Sequence, residues 1–294
     1  MAQVIAAATE HEPIRRFHDR RQQESSRQRL TFGIAAAVML VAFFQSAQIG
    51  DVNVGHLRDI NKVFDYISET IPTLRLRYLG YDLADWFGRG RIWVSSMFDT
   101  ILIAIVSTTF SAIAGFVLCF AASRNLVRNR FVTFVARRTL EIARGVPELV
   151  YAMIFVFAFE LGPLPGVLAI AVHSAGSLGK LFSEVNENVA AKSLEGVRSV
   201  GGNWFDVSRY AVVPQVMPNF SSYTLLRLEL NVRAATVIGL VGAGGIGMEL
   251  MTAIRQFHYT EISAISLMVV LVVVGMDWAS EKIRHSLIGK ENLV

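Results

Sequence analysis

Hydrophobic positions in this chain gather into long unbroken runs rather than the alternating or 3.6-residue patterns of a soluble core. Residues 30–50 form a 21-residue stretch without a charged side chain, 100–123 one of 24, and 161–179 one of 19. Crossing about 30 Å of hydrocarbon takes roughly 20 such residues, because each helical residue rises about 1.5 Å. Shorter uncharged runs follow at 210–226, 234–248 and 262–276, and the apolar run 149–159 stands behind a charged helical face. The pattern predicts six membrane-spanning helices near 30–50, 99–121, 140–160, 163–182, 217–241 and 261–281. The expected fold class is an all-α polytopic membrane protein with six transmembrane helices. Six spans take up so much of the 294 residues that no second, soluble domain fits.

Composition agrees. Only 18% of residues are charged and 53% are hydrophobic, with a mean hydropathy of +0.44. An average soluble chain carries about 25% charged residues, so a soluble globular enzyme is excluded. The net charge of +4 says little, but its distribution orients the chain. Arg15, Arg16, Arg20, Arg21, Arg27 and Arg29 precede the first span, and Arg124, Arg128, Arg130, Arg137 and Arg138 follow the second without an acid among them. With the N-terminus inside, cytoplasmic segments hold 18 basic residues and outer segments seven. Short cytoplasmic loops carry the Lys/Arg excess, so both termini are expected in the cytoplasm. Glu10, Glu12, Asp19 and Glu24 dilute the basic N-terminus, so no nucleic-acid partner is expected. The stretch 1–50 is too long for a cleavable signal and reads as a retained first span. The expected organisation is a cytoplasmic tail over 1–29, a first span and outer interfacial segment over 30–96, a core over 97–285 and a cytoplasmic tail over 286–294. Aromatic residues at Tyr78, Tyr81, Trp86, Phe87 and Trp93 suggest that 74–93 lies at the membrane interface.

The single cysteine, Cys119, falls inside the second span, so neither a disulfide nor a metal cluster is expected. His173 is the one histidine within a span. It is followed by Ser174 in a run of small residues that permits close helix packing, and both are candidates to touch a polar solute. Gly242, Gly244, Gly245 and Gly247 place four glycines in six residues. The run satisfies the dinucleotide fingerprint G-x-G-x-x-G, but that site needs a strand before it and a βαβ unit around it. Here the run follows a membrane-length helix and should break it near its outer end. Non-helical backbone at membrane depth persists only where protein or an aqueous cavity covers it, which makes the glycines candidates for a translocation path.

Charges inside the spans are the next signal. Arg227, Glu229, Asn231 and Arg233 lie within the fifth expected span. Each charge near mid-bilayer costs on the order of 2.5–3.5 kcal/mol on insertion scales, so partners are required. Spacing of i,i+4 allows Glu229 to pair with Arg233 and Arg227 with Asn231. The stripe is either a structural ion-pair ladder or a net-positive face on an aqueous path. Arg137, Glu141, Arg144 and Glu148 recur at helical spacing ahead of the third apolar run and are expected on one face, with a kink at Pro147. That face either sits in cytoplasm or at the headgroups or, through Arg144 and Glu148, belongs to the solute path.

Between the fourth and fifth spans, residues 184–216 read as helix, glycine turn, helix. Gly201 and Gly202 end the first helix, Asn203 offers an N-cap, Trp204 and Phe205 follow exposed, and Pro214 punctuates entry into the next span. Exposed aromatics on such a knob suggest a docking surface.

The spacing of Glu195, Gly201 and Pro214 resembles the EAA loop of ABC-importer permeases. Gly196 and Val197 replace its two alanines, and Ala211 and Val213 its isoleucine and leucine. R-x-E-x-N-x-R from Arg227, followed by the glycine run from Gly239, is similar to the phosphonate branch of that family. So are RGVPELV from Arg144 and the stretch with Asp99, Thr100, Ile103, Ala104 and Thr108. The resemblance covers roughly 97–285. It implies a type I importer fold working with a cytoplasmic ATPase dimer, a second permease, identical or paralogous, and an extracytoplasmic solute-binding protein. It implies no cofactor and no catalysis in this chain, since ATP would be bound by the ATPase subunits. It also implies a phosphonate or related phosphorus oxoanion as solute and alternating access driven through the loop. A methionine or glycine-betaine permease is the nearer alternative, and an ion-coupled secondary transporter the more distant one. Such a carrier would need a membrane relay, for which Asp277, Glu229 and Glu148 are the carboxylates available.

Overall fold

A computed structural model of the chain describes residues 12–49, 60–72, 75 and 77–288. Residues 1–11 and 289–294 of the expected tails, residues 50–59, and residues 73, 74 and 76 lie outside the described residues. The chain divides into two compact units, Met1–Tyr66 and Ile67–Val294. The first contains α1 (Glu12–Ile49), in which the basic tail and the apolar first span form one continuous helix.

The second unit opens with the end of α2 (Ile60–Thr70) and with α3 (Leu79–Trp86). Then come α4 (Gly90–Ala122), α5 (Arg130–Gly145), α6 (Glu148–Phe159) and α7 (Pro163–Glu187). The coupling-loop helix α8 (Ala191–Ser199) leads through a single turn, Trp204–Asp206, and a π-helical segment, Val207–Val212, into α9 (Val213–Gly239). The chain ends with α10 (Ile246–Arg255) and α11 (Tyr259–Ile288). No strand occurs among the described residues, so the all-α expectation holds.

Among the described residues four helices are long and apolar enough to cross a membrane: Arg27–Ser46 of α1, then α4, α7 and Tyr259–Ser286 of α11. The pair α5–α6 makes a fifth if counted as one bent span. At 27 residues, or about 40 Å, α9 is long enough, but Arg227, Glu229 and Arg233 set it apart. The expected count of six therefore rests both on α5–α6 acting as one span and on how α9 shelters its charges.

Three expectations change. First, 140–160 is not one kinked span: α5 and α6 meet at 85°. Proline lacks an N–H and disfavours helical conformation in the residue before it. Val146 is accordingly extended, with φ −89° and ψ 127°, and Pro147 restarts the helix as the N-cap of α6. Glu148 thus leaves the face that carries Arg137, Glu141 and Arg144. Second, the second span starts at Gly90, nine residues earlier than expected. Third, only Tyr78 and Tyr81 are exposed as interfacial aromatics should be. Trp93 is buried, and Trp86 and Phe87 pack beside it against Ile246, Ala264 and Ile265. The Trp86 indole donates to the Thr260 carbonyl at 3.0 Å and to Ser263 Oγ at 3.1 Å. Once α10 and α11 cover this end, apolar rings gain more from the core than from the headgroups.

The bundle is centred on α7, whose small residues admit close neighbours. A Cβ on Gly176 would lie 2.6 Å from the Arg144 nitrogen and 2.7 Å from the Leu140 carbonyl oxygen, so α5 crosses α7 there in backbone contact. Gly176→Leu is therefore expected to prise α5 from α7 and lower the thermal stability of the detergent-solubilised protein by about 1–3 kcal/mol or more. Gly196→Ala on α8, with open space around it, serves as the control and should leave the melting temperature unchanged or slightly raised.

Candidate functional site

The spacing R-x-E-x-N-x-R sets two faces on α9, because positions four apart stack while positions two apart point in opposite directions. Arg227 and Asn231 take the inner face. Arg227 Nε donates to Ser174 Oγ at 2.9 Å, Ser174 Oγ donates to Asn231 Oδ1 at 2.8 Å, and Asn231 Nδ2 donates to Thr108 Oγ1 at 2.8 Å. Thr108 passes its own hydrogen to the Ala104 carbonyl at 2.6 Å. This buried chain of bonds ties α9 to α7 and α4. The expected pairing of Arg227 with Asn231 is not made. The asparagine amide is instead drawn inward, where Thr108 and Ser174 satisfy it and water cannot.

Glu229 and Arg233 do pair, at 2.7 Å, on the other face. Arg233 has a second partner that spacing along α9 could not reveal, Asp277 of α11, at 2.8 Å. Two carboxylates around one guanidinium mean that this half of the stripe is not net positive. Among the described residues no carboxylate bonds Arg227 directly, although Glu148 is within electrostatic reach.

His173 serves the break between α5 and α6. Its Nδ1 meets the Val146 carbonyl oxygen at 2.9 Å, so Nδ1 carries the hydrogen, since a carbonyl can only accept. Its Nε2 lies 3.2 Å from the Glu148 carboxylate. Glu148 also sits in the first turn of α6, where the helix dipole favours an anion. Arg144, one turn before the break, is exposed. The structure thus brings Glu148, His173, Ser174, Arg227 and Asn231 together and keeps Glu229 and Arg233 on a separate face with Asp277.

The glycine run folds back at the far end of α9. Gly242, Gly244 and Gly245 have φ of +90°, +88° and +75°, in the left-handed region that side chains disfavour. Gly239 and Gly247 cross so closely that a Cβ on the first would lie 2.7 Å from the Cα of the second. Thr100 accepts the Ile246 N–H at 2.8 Å, and Gly162 donates to the Gly242 carbonyl at 3.1 Å. The run is a turn clamped between Thr100, in the third turn of α4, and the start of α7. Thr100 and Thr108 were visible in the sequence within one stretch, but their roles depend on a helix more than a hundred residues away.

The loop between α7 and α9 takes the expected form. Gly201, at φ +86°, ends α8, and Gly202 donates to the Val197 carbonyl at 3.0 Å. A capping box follows: Asn203 Oδ1 accepts from Phe205 and Asp206 N–H at 2.8 and 3.1 Å, and Asp206 accepts from the Asn203 N–H at 2.9 Å. Leu194 anchors α8 in a core with Val207 and Ala211. Glu195, Trp204 and Phe205 face outward. Pro214 follows the π segment, where Gln215 Nε2 supplies a donor to the Ala211 carbonyl at 2.7 Å.

Residues 115–279, more than half of the chain, match the family described as binding-protein-dependent transport system inner membrane component. The chain belongs to that family. As a member of the binding-protein-dependent permeases it is an inner-membrane transport component and not an enzyme, and it works with ATPase and solute-binding partners. The phosphite transport system permease protein PtxC of Stutzerimonas stutzeri is 41% identical over 198 residues, covering 67% of this chain and 72% of that protein. The phosphate-import permease protein PhnE of Mycolicibacterium smegmatis is 40% identical over 190 residues, covering 65% of this chain but 36% of that protein. The inward-facing MetNI methionine ABC transporter matches in fold with a TM-score of 0.57 at 16% identity, over 68% of this chain and 98% of the solved chain. The fold is that of a type I ABC importer permease.

Ser174 both accepts from Arg227 and donates to Asn231. Ser174→Ala should therefore cost about 1–3 kcal/mol, the penalty of leaving buried polar groups unsatisfied, read as lost thermal stability in detergent. Ser174→Thr, which keeps the hydroxyl, should lose less.

Proposed function

We propose that this chain is the membrane subunit of an ABC importer for phosphorus oxoanions such as phosphite, phosphate or phosphonates. Both termini lie in the cytoplasm, and a cytoplasmic ATPase dimer docks on the 184–216 loop. A second permease and an extracytoplasmic binding protein complete the complex, and ATP is held by the ATPases. The observation that carries the solute class is the inner face of α9. Among the described residues Arg227 donates to a neutral hydroxyl alone and keeps donors available for an anion, whereas both carboxylate partners of Arg233 are already in place. A planar guanidinium matches a tetrahedral oxoanion through paired N–H donors. The relatives named for phosphite and phosphate transport support the same class.

In this reading Arg227 accepts the anion, Glu148 and His173 hold the α5–α6 break beside it, and the glycine turn closes the outer end of the path. Glu195, Gly201, Gly202, Trp204, Phe205 and Pro214 shape the surface that meets the ATPase.

Uptake of radiolabelled phosphate and of phosphite by cells that depend on this transporter tests the reading. Arg227→Gln should lower uptake about tenfold or more, the loss of one charge-assisted hydrogen bond of 1.5–3 kcal/mol, while the complex still assembles. Arg233→Gln should instead reduce the amount of assembled complex, because Glu229 and Asp277 lose their shared cation. Normal oxoanion uptake by an assembled Arg227→Gln transporter would remove the anion-accepting role. Reporter fusions after Asn203 should read cytoplasmic, and an external signal there would exclude docking to an ATPase.

A further inference from the structure

We propose that α5 and the turn before it form a binding site for an anionic phospholipid headgroup of the cytoplasmic leaflet. Three sides of α5 have different chemistry. Thr133, Ala136 and Leu140 are buried against the bundle. On the opposite side Phe131, Val135 and Ile142 are exposed, with Phe134 and Arg138 beside them. Along the flank run Arg130, Arg137, Glu141 and Arg144. A helix that shows apolar side chains away from its own core, and stands at 85° to the next apolar segment, has the form of a helix lying along the bilayer surface.

The flank opens on a cleft of about 630 Å³ lined by Arg124, Arg128, Arg130, Arg137 and Arg138, with Glu141 as the one acid. Arg137 is engaged by Glu187 and by the Ala122 carbonyl, and Arg138 by Glu141. Glu187 accepts from the Arg124 backbone N–H at 2.6 Å, but among the described residues no carboxylate pairs with the guanidinium of Arg124, Arg128 or Arg130. Three guanidiniums are therefore left without a counter-charge beside exposed phenylalanines. Arg138 stands over the Phe134 ring at 5.4 Å, so cation and apolar surface meet at the cleft wall. A phosphodiester bearing acyl chains satisfies both at once: guanidinium forks take the phosphate, and the apolar face takes the chains. A soluble acidic partner would leave that face in water. The cleft is also at the coupling-loop end of the bundle, since Arg198 donates to the Asn125 carbonyl at 3.1 Å. Under the proposed topology this is the leaflet side where anionic lipid and basic residues attract.

The test uses the whole transporter complex in nanodiscs of mixed phosphatidylglycerol and phosphatidylcholine, with retained lipid counted by native mass spectrometry. The wild-type complex should retain phosphatidylglycerol in preference. The combined Arg124→Gln, Arg128→Gln and Arg130→Gln variant should lose that preference by on the order of tenfold or more, given the size of each basic residue's contribution at an anionic surface. Lysine at the same three positions should keep it. A wild-type complex with no headgroup preference overturns the proposal without any variant. So does a Gln variant that keeps the preference but sheds the ATPase, which assigns the arginines to a protein contact. Release of the phosphatidylglycerol by inorganic phosphate alone would assign the cleft to free anions and overturn it too.

Discussion

Arg227 enters the bundle about 21 Å along a helix of about 40 Å, where a bare guanidinium opposes insertion. The constraint is met by a relay of neutral hydroxyl and amide groups, with Glu148 within electrostatic reach but not directly bonded. Ser174 accepts from the arginine and donates to Asn231, and Asn231 donates to Thr108. Because each acceptor sits on a different helix, satisfying one cation fixes α9 against both α7 and α4. The small residues of α7 follow from the same requirement, since a hydroxyl reaches the arginine only if the helices pack closely.

The opposite face of α9 solves the same problem differently. Arg233 stands between Glu229 and Asp277, which anchors α9 to α11 by charge. One helix thus carries a neutral seam and a charged seam, and only the neutral one leaves a cation open to a ligand. This asymmetry separates the solute-contacting role proposed for Arg227 from a structural role for Arg233, although the two look equivalent in sequence.

Much of this was legible because the signals were local. Apolar runs marked the long helices, and Gly201 with Asn203 marked the turn and cap of the coupling loop, each by the conformation or hydrogen bond that its own residue type supplies. Pro147 was read as a kink but produces a near right angle, because the extended Val146 lets the chain turn fully and His173 captures the freed carbonyl. What stayed hidden was long-range choice. Asn231 could have met Arg227 four residues away and met Thr108 instead, 123 residues distant. Trp86 and Trp93 read as interfacial rings until α10 and α11 covered them.

Under the proposed function, the coupling loop is what joins this seam to the ATPase partners. Its core of Leu194, Val207 and Ala211 runs through the π segment into α9, so in the proposed function a push on the exposed Trp204 and Phe205 would reach the helix that carries Arg227. A β-branched residue at Gly201 would be forced into the left-handed region at a cost of about 1–2 kcal/mol and would turn the second helix of the loop away. The most direct measurement is ATP hydrolysis by the reconstituted complex, with and without loaded binding protein, for wild type and for Gly201→Val. The account predicts that loaded binding protein stimulates the wild type and leaves the variant unstimulated, with both permeases fully inserted. Wild-type stimulation and wild-type uptake in Gly201→Val would contradict it.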